Sequence, residues 1–252
     1  VPTASFESLV AEGDAVPVEG WDFSWFEGRA TEERPPWGYA RLMSDRMARA
    51  SAALDIQTGG GEVLAGIAVA PPVLAATESW APNVAIARKN LERFDATVVE
   101  VADEADLPFP DESFDLVVSR HPTTVRWDEV ARVLQPGGTY FAQHIGPGTN
   151  RELTDVMMGP QPVGASRSPD LARTQARAAG LEVIDLQACM LRVEFFDVAA
   201  VVYFLRKALW TVPGFKSDSY ITQLEQLHQV IESEGSFVSH STRFLIEARK
   251  ST

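Results

Sequence analysis

Cysteine is nearly absent: Cys189 stands alone among 252 residues, so no internal disulfide can form. It lies in an apolar run, where a plain core thiol is the ordinary role. Histidine is scarce as well, with four in the chain, and neither residue type recurs at ligand-type spacing, so no metal site is expected. Positive charge is short. The 22 Lys and Arg face 35 Asp and Glu, and a formal net charge of -13 is the opposite of a broad phosphate-binding surface. A small uncharged or cationic partner fits that balance better, while a local patch from Arg126, Arg132, Arg167, Arg173 and Arg177 keeps RNA open as a weaker alternative. No uncharged apolar run approaches membrane-spanning length. The opening residues carry Glu7, Glu12 and Asp14 where a signal peptide would be basic and then apolar, so the cytoplasm is the expected compartment. Internal repeats and low-complexity tracts are missing too.

What the chain does have is a 45% hydrophobic composition, enough to bury a sizeable core as one domain with an insertion. Its organising stretch is Leu54-Asp55-Ile56-Gln57-Thr58-Gly59-Gly60-Gly61-Glu62. An apolar run meets consecutive glycines, and an acidic residue then opens Glu62 to Ala65, which reads as strand, tight turn and helix start. Such a turn lets backbone N–H groups close on a ligand, although glycine-rich turns also occur without one. A dinucleotide fingerprint beginning at Gly59 would need glycine where Leu64 stands.

After the loop, strand and helix alternate as a doubly wound parallel sheet requires. Pro72 to Thr77 is a buried strand ending in Glu78, placed to accept from both hydroxyls of a ribose. Asn83 to Arg93 reads as a helix, and Ala96 to Val101 as a third strand running into an acidic loop with Asp103 and Glu104. Leu107-Pro108-Phe109-Pro110-Asp111-Glu112-Ser113-Phe114-Asp115 leads to a fourth strand, Leu116 to Ser119, followed by Arg120 and His121. Thr123 to Leu134 reads as a helix, and Leu134 to Gly138 as a turn into a fifth strand, Thr139 to His144.

These blocks resemble the class I S-adenosylmethionine-dependent methyltransferases over Ala52 to Gln143. Asp55, Gly59 and Gly61 fit the family's motif I, while Gln57 sits where its first glycine usually stands. The L-P-F-x-D-x-S-F-D block and the L-x-P-G-G turn are two further family features. The resemblance implies a Rossmann-like, mostly parallel seven-stranded sheet with helices on both faces, binding S-adenosyl-L-methionine and releasing S-adenosyl-L-homocysteine. Asp55, Gln57, Thr58, Gly59, Gly60 and Gly61 would bracket the methionine portion and Glu78 the ribose. Ser79, Trp80, Asp103, Glu104 and Ser119 would surround the adenosine.

Outside that stretch lie the segments where acceptor choice should reside. Residues 1–50 form an aromatic and helical cap, in which Trp21, Trp25, Trp37 and Tyr39 are candidates for a lid or pocket wall. Residues 51–195 form the cofactor-binding core, with Ile145 to Asn150 and Met157 to Pro162 a loop-rich crossing, Ser168 to Ala179 helical and Leu181 to Phe195 a long strand. Residues 196–236 read as a helical insertion, the acceptor-pocket roof, with Trp210 and Phe215 on its connecting turn. Residues 237–252 supply the last strand. His121 and His144 fall at neighbouring strand ends, where either is a general base or a hydrogen-bonded wall residue.

The expected activity is methyl transfer to a small-molecule acceptor, on O, N or C. A nicotinamide-dependent oxidoreductase on the same kind of sheet is one alternative, and a non-catalytic cofactor-binding protein is another.

Overall fold

The computed structural model describes residues 4–18 and 23–252. The chain folds as two compact units, Pro35–Pro147 with Ala165–Cys189 and Arg243–Thr252, and Val1–Arg34 with Gly148–Gly164 and Met190–Thr242.

The first is the α/β unit. Its helix α2 (Tyr39–Met47) precedes strand β2 (Ala52–Asp55), and β3 (Val73–Glu78), helix α3 (Ala81–Leu91) and β4 (Thr97–Glu100) follow. Then come β5 (Phe114–Arg120), α4 (Trp127–Val133), β6 (Leu134–Ile145) and α6 (Pro169–Ala178). Strands β4, β3, β2, β5 and β6 are neighbours in that order and run parallel, with Asp55 opposite Ala76 and Val118. The tail of β8 (Phe237–Lys250) closes on β6 antiparallel, pairing His144 with Phe244 and Ile145 with Arg243.

Parallel strands covered on both faces should be apolar along their length, and every residue of β2 is buried. One face carries α2 and α3, whose Tyr39, Met43, Met47, Val84, Ala87 and Leu91 recur at helical spacing and pack on Ala53, Leu116 and Phe141. The other face carries α4 and α6, through Trp127, Val130, Ala172 and Ala176 against Leu54, Val117 and Tyr140.

The segment read as a helix start at Glu62 is a single 3-10 turn, Leu64–Gly66. Gly66 and the pair Pro71-Pro72 leave too few residues for a stable helix, and Leu64 and Ile67 pack beside α2 instead. The family-like block at Leu107 is stapled to α4: Arg132 reaches the carbonyls of Leu107 and Phe109 and the carboxylates of Asp111 and Glu129. Asp115 accepts from the N–H groups of Ser51 and Ala52, which fixes the entry to β2.

In the second unit, α1 (Phe6–Ala15), α5 (Arg151–Met158), α7 (Val198–Lys207) and α8 (Ile221–Glu234) share a core of Val10, Leu153, Val201, Leu205, Leu224 and Leu227. Strand β1 (Ala30–Glu32) lies antiparallel to the end of β7 (Leu181–Phe195), with Ala30 opposite Phe195. The full strand order is β1-β7-β8-β6-β5-β2-β3-β4, so the described sheet has eight strands where seven were expected, β1 being the addition. Helix α5 also lies between the two segments read as a loop-rich crossing, taking in Met157 and Met158 of the second. It is barely two turns long, entered at Asn150 and left at Gly159, both with positive φ, so its period hardly shows in sequence. None of the described helices is long and apolar enough to cross a membrane.

Helix α1 crosses α7 at Gly13, where an added Cβ would stand 2.6 Å from the Ala199 carbonyl oxygen. Alanine normally stabilises a helix interior by about 1 kcal/mol over glycine. Gly13→Ala should reverse that sign, destabilising by roughly 1–3 kcal/mol from overpacking against backbone, as read by urea denaturation.

Candidate active site

Three acidic residues stand at or just beyond the carboxyl ends of neighbouring parallel strands, where open α/β sheets bind ligands. Asp55 ends β2 and is 6% exposed, its Oδ2 accepting from Thr58 Oγ1 at 2.7 Å. Burial pushes its carboxyl up to about 7, against the lowering effect of the Thr58 bond and with a further rise from the nearby Glu78 charge. Glu78 ends β3 and is 7% exposed. Its Oε2 accepts from the Gly59 N–H at 2.8 Å and its Oε1 from the Trp80 N–H at 3.0 Å. Asp103 follows β4, with its Oδ2 accepting from Thr123 Oγ1 at 2.5 Å. Its Oδ1 is buried without a partner.

The structure therefore brings Asp55, Glu78 and Asp103 to one edge of the sheet with the glycine loop. That loop is shaped largely by the protein itself. Gly61 has φ +74°, and a Cβ there would touch Leu91 at 3.2 Å, so glycine is needed for packing on α3. Gly60 is buried beside it, and its carbonyl accepts from Asn90 Nδ2.

Gln57 adopts φ +57°, a conformation that suits glycine, and spends its side chain across the site. Its Oε1 accepts from the Thr123 N–H at 2.7 Å, and its Nε2 donates to the Thr124 carbonyl at 2.8 Å, while the one Thr123 hydroxyl proton goes to Asp103. With the Thr123 bond to Asp103, this ties the loops after β2, β4 and β5 together. Beneath them runs a narrow cavity walled by Ile56, Asp103, Leu107, Thr124 and Val125. A more open one adjoins it, sharing Asp103 and Thr124 and adding Ser79, Glu100 and Glu104. Trp80 lies 46% exposed after Glu78, and Ser119 is buried with its Oγ on the Ile56 carbonyl.

The two histidines are placed differently. His144 is buried, stacked on Phe244 with centroids 4.6 Å apart, and its Nε2 lies 3.2 Å from the Tyr140 hydroxyl. Burial pushes its imidazole down to about 3, so it is neutral at physiological pH. His121 has φ +60° and bonds through Nε2 to Gln143 Nε2 at 2.8 Å. Burial, with the guanidinium groups of Arg120 and Arg243, holds it well below the usual histidine range.

Of the aromatic candidates, Trp37 and Tyr39 are buried in the α/β unit. Trp37 Nε1 donates to Gln143 Oε1 at 2.7 Å, and the Tyr39 hydroxyl donates to the Ser119 carbonyl at 3.0 Å while its ring stacks on Phe141. Trp25 belongs to the other unit, edge-on to Tyr203 with the Arg29 guanidinium over its ring. In that unit Trp210 is 43% exposed, and Phe215 is buried against Tyr220. Trp21 lies outside the described residues. The basic residues weighed for RNA are partly neutralised: Arg126 pairs with Asp106 and Asp128, Arg132 with Asp111 and Glu129, and Arg173 with Asp170.

Thr123 and Gln143 were not singled out from sequence. Gln143 had a readable signal, a polar residue inside the apolar strand Tyr140 to Ala142, which on a covered sheet demands a partner.

Residues 54–142 match the family model described as a methyltransferase domain. The chain is 32% identical over 136 residues to the 27-O-demethylrifamycin SV methyltransferase of Amycolatopsis mediterranei, a match covering 48% of this chain and 44% of that enzyme. It therefore spans less than half the length of that relative. Among solved structures, YcgJ protein from Bacillus subtilis is similar over 85% of this chain and 98% of its own, with a TM-score of 0.58 at 17% identity. A Haemonchus contortus phosphoethanolamine N-methyltransferase, solved with phosphomonomethylethanolamine and S-adenosylhomocysteine, is similar over 86% of this chain and 53% of its own, with a TM-score of 0.50 at 16% identity. At such identities the two structures share the fold.

Two outcomes are expected from this geometry. Gln57→Gly should be about 1 kcal/mol more stable than Gln57→Ala in urea, because both lose the bonds to Thr123 and Thr124 and only alanine keeps the left-handed strain. The raised Asp55 pKa means that the unfolded chain ionises this carboxyl first. Its stabilising contribution is full below about pH 4 and is lost as pH rises through 7. Asp55→Asn should flatten that loss, on the order of a few kcal/mol, in denaturation curves taken from pH 4 to pH 8.

Proposed function

We propose that this chain, whose residues 54–142 are a methyltransferase domain, is an S-adenosylmethionine-dependent enzyme that methylates a small-molecule acceptor. The observation that carries the cofactor assignment is the buried, unpartnered Oδ1 of Asp103 on the wall of the cavity beyond the β-strand ends. A buried carboxylate oxygen without a donor costs roughly 1–3 kcal/mol, and an exocyclic amino group of a purine in that cavity would supply the donor. The apolar walls Ile56, Leu107 and Val125 suit the faces of such a base.

The remaining assignments follow the same edge. Glu78 uses one lone pair of each oxygen on Gly59 and Trp80, which aims the carboxylate and leaves a second lone pair on each for ribose hydroxyls. Asp55 and the Gly59 to Gly61 turn would border the methionine portion, with Thr58 orienting the Asp55 carboxyl. Gln57 and Thr123 would hold the adjoining loops over the nucleoside and keep water out. Ser79, Trp80, Glu104 and Ser119 complete the surround. The bound cofactor supplies an activated methyl on a sulfonium, which an acceptor lone pair displaces in line. The protein's task is then alignment and exclusion of water.

For the acceptor, the acidity of the chain and the ion pairs of its arginines favour a small molecule over a nucleic acid. Trp37 and Tyr39, in the α/β unit, are the proposed acceptor-side aromatics, with Trp37 acting through Gln143 and His121.

Isothermal titration with S-adenosylhomocysteine tests the reading. Binding is expected, and Glu78→Gln and Asp103→Asn should each weaken it by about 10-fold or more, since each loses a hydrogen bond to a charged group. Undetectable binding at millimolar ligand would overturn it.

A further inference from the structure

Beyond the nucleoside pocket, the carboxyl ends of β5 and β6 carry a hydrogen-bonded chain whose direction can be read without ambiguity. The Trp37 indole can only donate, and its Nε1 lies 2.7 Å from Gln143 Oε1. The Gln143 amide therefore turns its nitrogen to His121, whose Nε2 is 2.8 Å away. An amide nitrogen can only donate, so His121 Nε2 accepts, and the neutral ring carries its proton on Nδ1. Trp37 and Gln143 are 7% and 4% exposed. Reversing the ring would set two N–H donors against each other in a dry site, at the cost of buried unsatisfied groups. The backbone agrees: the His121 N–H donates to the Gln143 carbonyl at 2.6 Å, so one residue grips His121 at both ends.

Charge around the ring points the same way. Arg120 precedes His121 and pairs in register with Gln143, and Arg243 lies one strand further, opposite Ile145. Burial, and then both guanidinium groups, disfavour a cation on His121. A ring in this state has no lone pair with which to take a proton from an acceptor. What it offers is an N–H.

We propose that His121 Nδ1–H, on the residue that follows Arg120, receives the methyl acceptor as an oxyanion, a phenolate or an enolate. This rests on the methyltransferase reading and names its substrate class. The acceptor's O–H proton leaves to water on binding. The oxygen then forms its bond to the methyl carbon as the carbon–sulfur bond breaks, the electron pair going to sulfur, and His121 keeps its proton throughout. An amine is a poor fit, because its single lone pair would be tied up by the same N–H. An oxyanion has three, so it can accept from His121 and still attack.

The test uses 4-nitrophenol, which absorbs visibly only as the phenolate, with full-length protein saturated with S-adenosylhomocysteine, at a pH one unit below the probe's own pKa. The phenolate band is expected to grow as protein is added. It should fall at least 10-fold in apparent affinity in Arg120→Gln and in His121→Gly, a substitution that suits the positive φ and so preserves the backbone. In ¹⁵N spectra of the unliganded wild type, the signals absent from His121→Gly should show the proton on Nδ1. A proton on Nε2, or a probe that stays neutral or unbound while calorimetry shows the nucleoside bound, would overturn this proposal alone. If the nucleoside does not bind, the methyltransferase reading falls and the proposal with it.

Discussion

The two bonds of the Glu78 carboxylate hold the ligand edge of the sheet in shape. One oxygen takes the Gly59 N–H and the other the Trp80 N–H, so the loop after β2 and the turn after β3 are set by one side chain. Each bond to an ionised carboxylate is worth about twice a neutral one. Burial is what raises the Asp55 carboxyl, and the Glu78 charge on the adjacent strand adds to that rise while the Thr58 bond opposes it. The glycines then follow from geometry: a loop pulled onto Glu78 from one side and packed on Leu91 from the other has no room for a side chain at Gly61.

Gln57 shows how a departure from a family pattern can be absorbed. The backbone still needs a left-handed residue there, and glutamine accepts that strain because its amide closes two bonds, on the Thr123 N–H and the Thr124 carbonyl. A glycine would leave those loops joined only through Thr123 and Asp103. Glutamine here trades local conformational ease for a strap over the cavity whose wall it joins.

The parallel core was legible because its signals are local. Alternating apolar runs, Glu78 at a strand end, the P-G-G turn and the acidic block each announce themselves within a few residues. The long strand Leu181–Phe195 and the helices near residues 198–207 and 221–234 were equally plain. Most of what escaped was decided at a distance. The helix expected after Gly61 is cut to one 3-10 turn by Gly66 and Pro71-Pro72, and its Leu64 and Ile67 are held by Met43 and Met47 of α2, from earlier in the chain. Strand β1 is three residues long and exists only through its pairing with β7. The tautomer of His121 depends on Trp37 and Gln143, separated by 106 residues, and no spacing rule links them. His144 looked like its neighbour in sequence, yet its ring is buried among Tyr140, Trp127 and Phe244, and burial alone sets its basicity.

Charge is distributed unevenly along the one edge where the strands end. Glu78 and Asp103 lie on the β3 and β4 side, whereas Arg120 and Arg243 lie on the β5 and β8 side, in a chain whose net charge is -13. In a methyltransferase acting on an ionised hydroxyl, a sulfonium and an oxyanion would meet between these halves, each opposite the sign it needs. Their reaction destroys both charges, so the transition state is less polar than the reactants. Water, which solvates the separated ions best, slows such a step, and a dry site that replaces water by a few fixed donors and acceptors speeds it. A proton-accepting histidine would work against this, since it would become a cation at the moment the other charges vanish. Burial and the two arginines already keep His121 neutral, and the Trp37 and Gln143 chain fixes which ring nitrogen carries its proton, so a ring placed this way would donate one hydrogen bond through that event without changing charge.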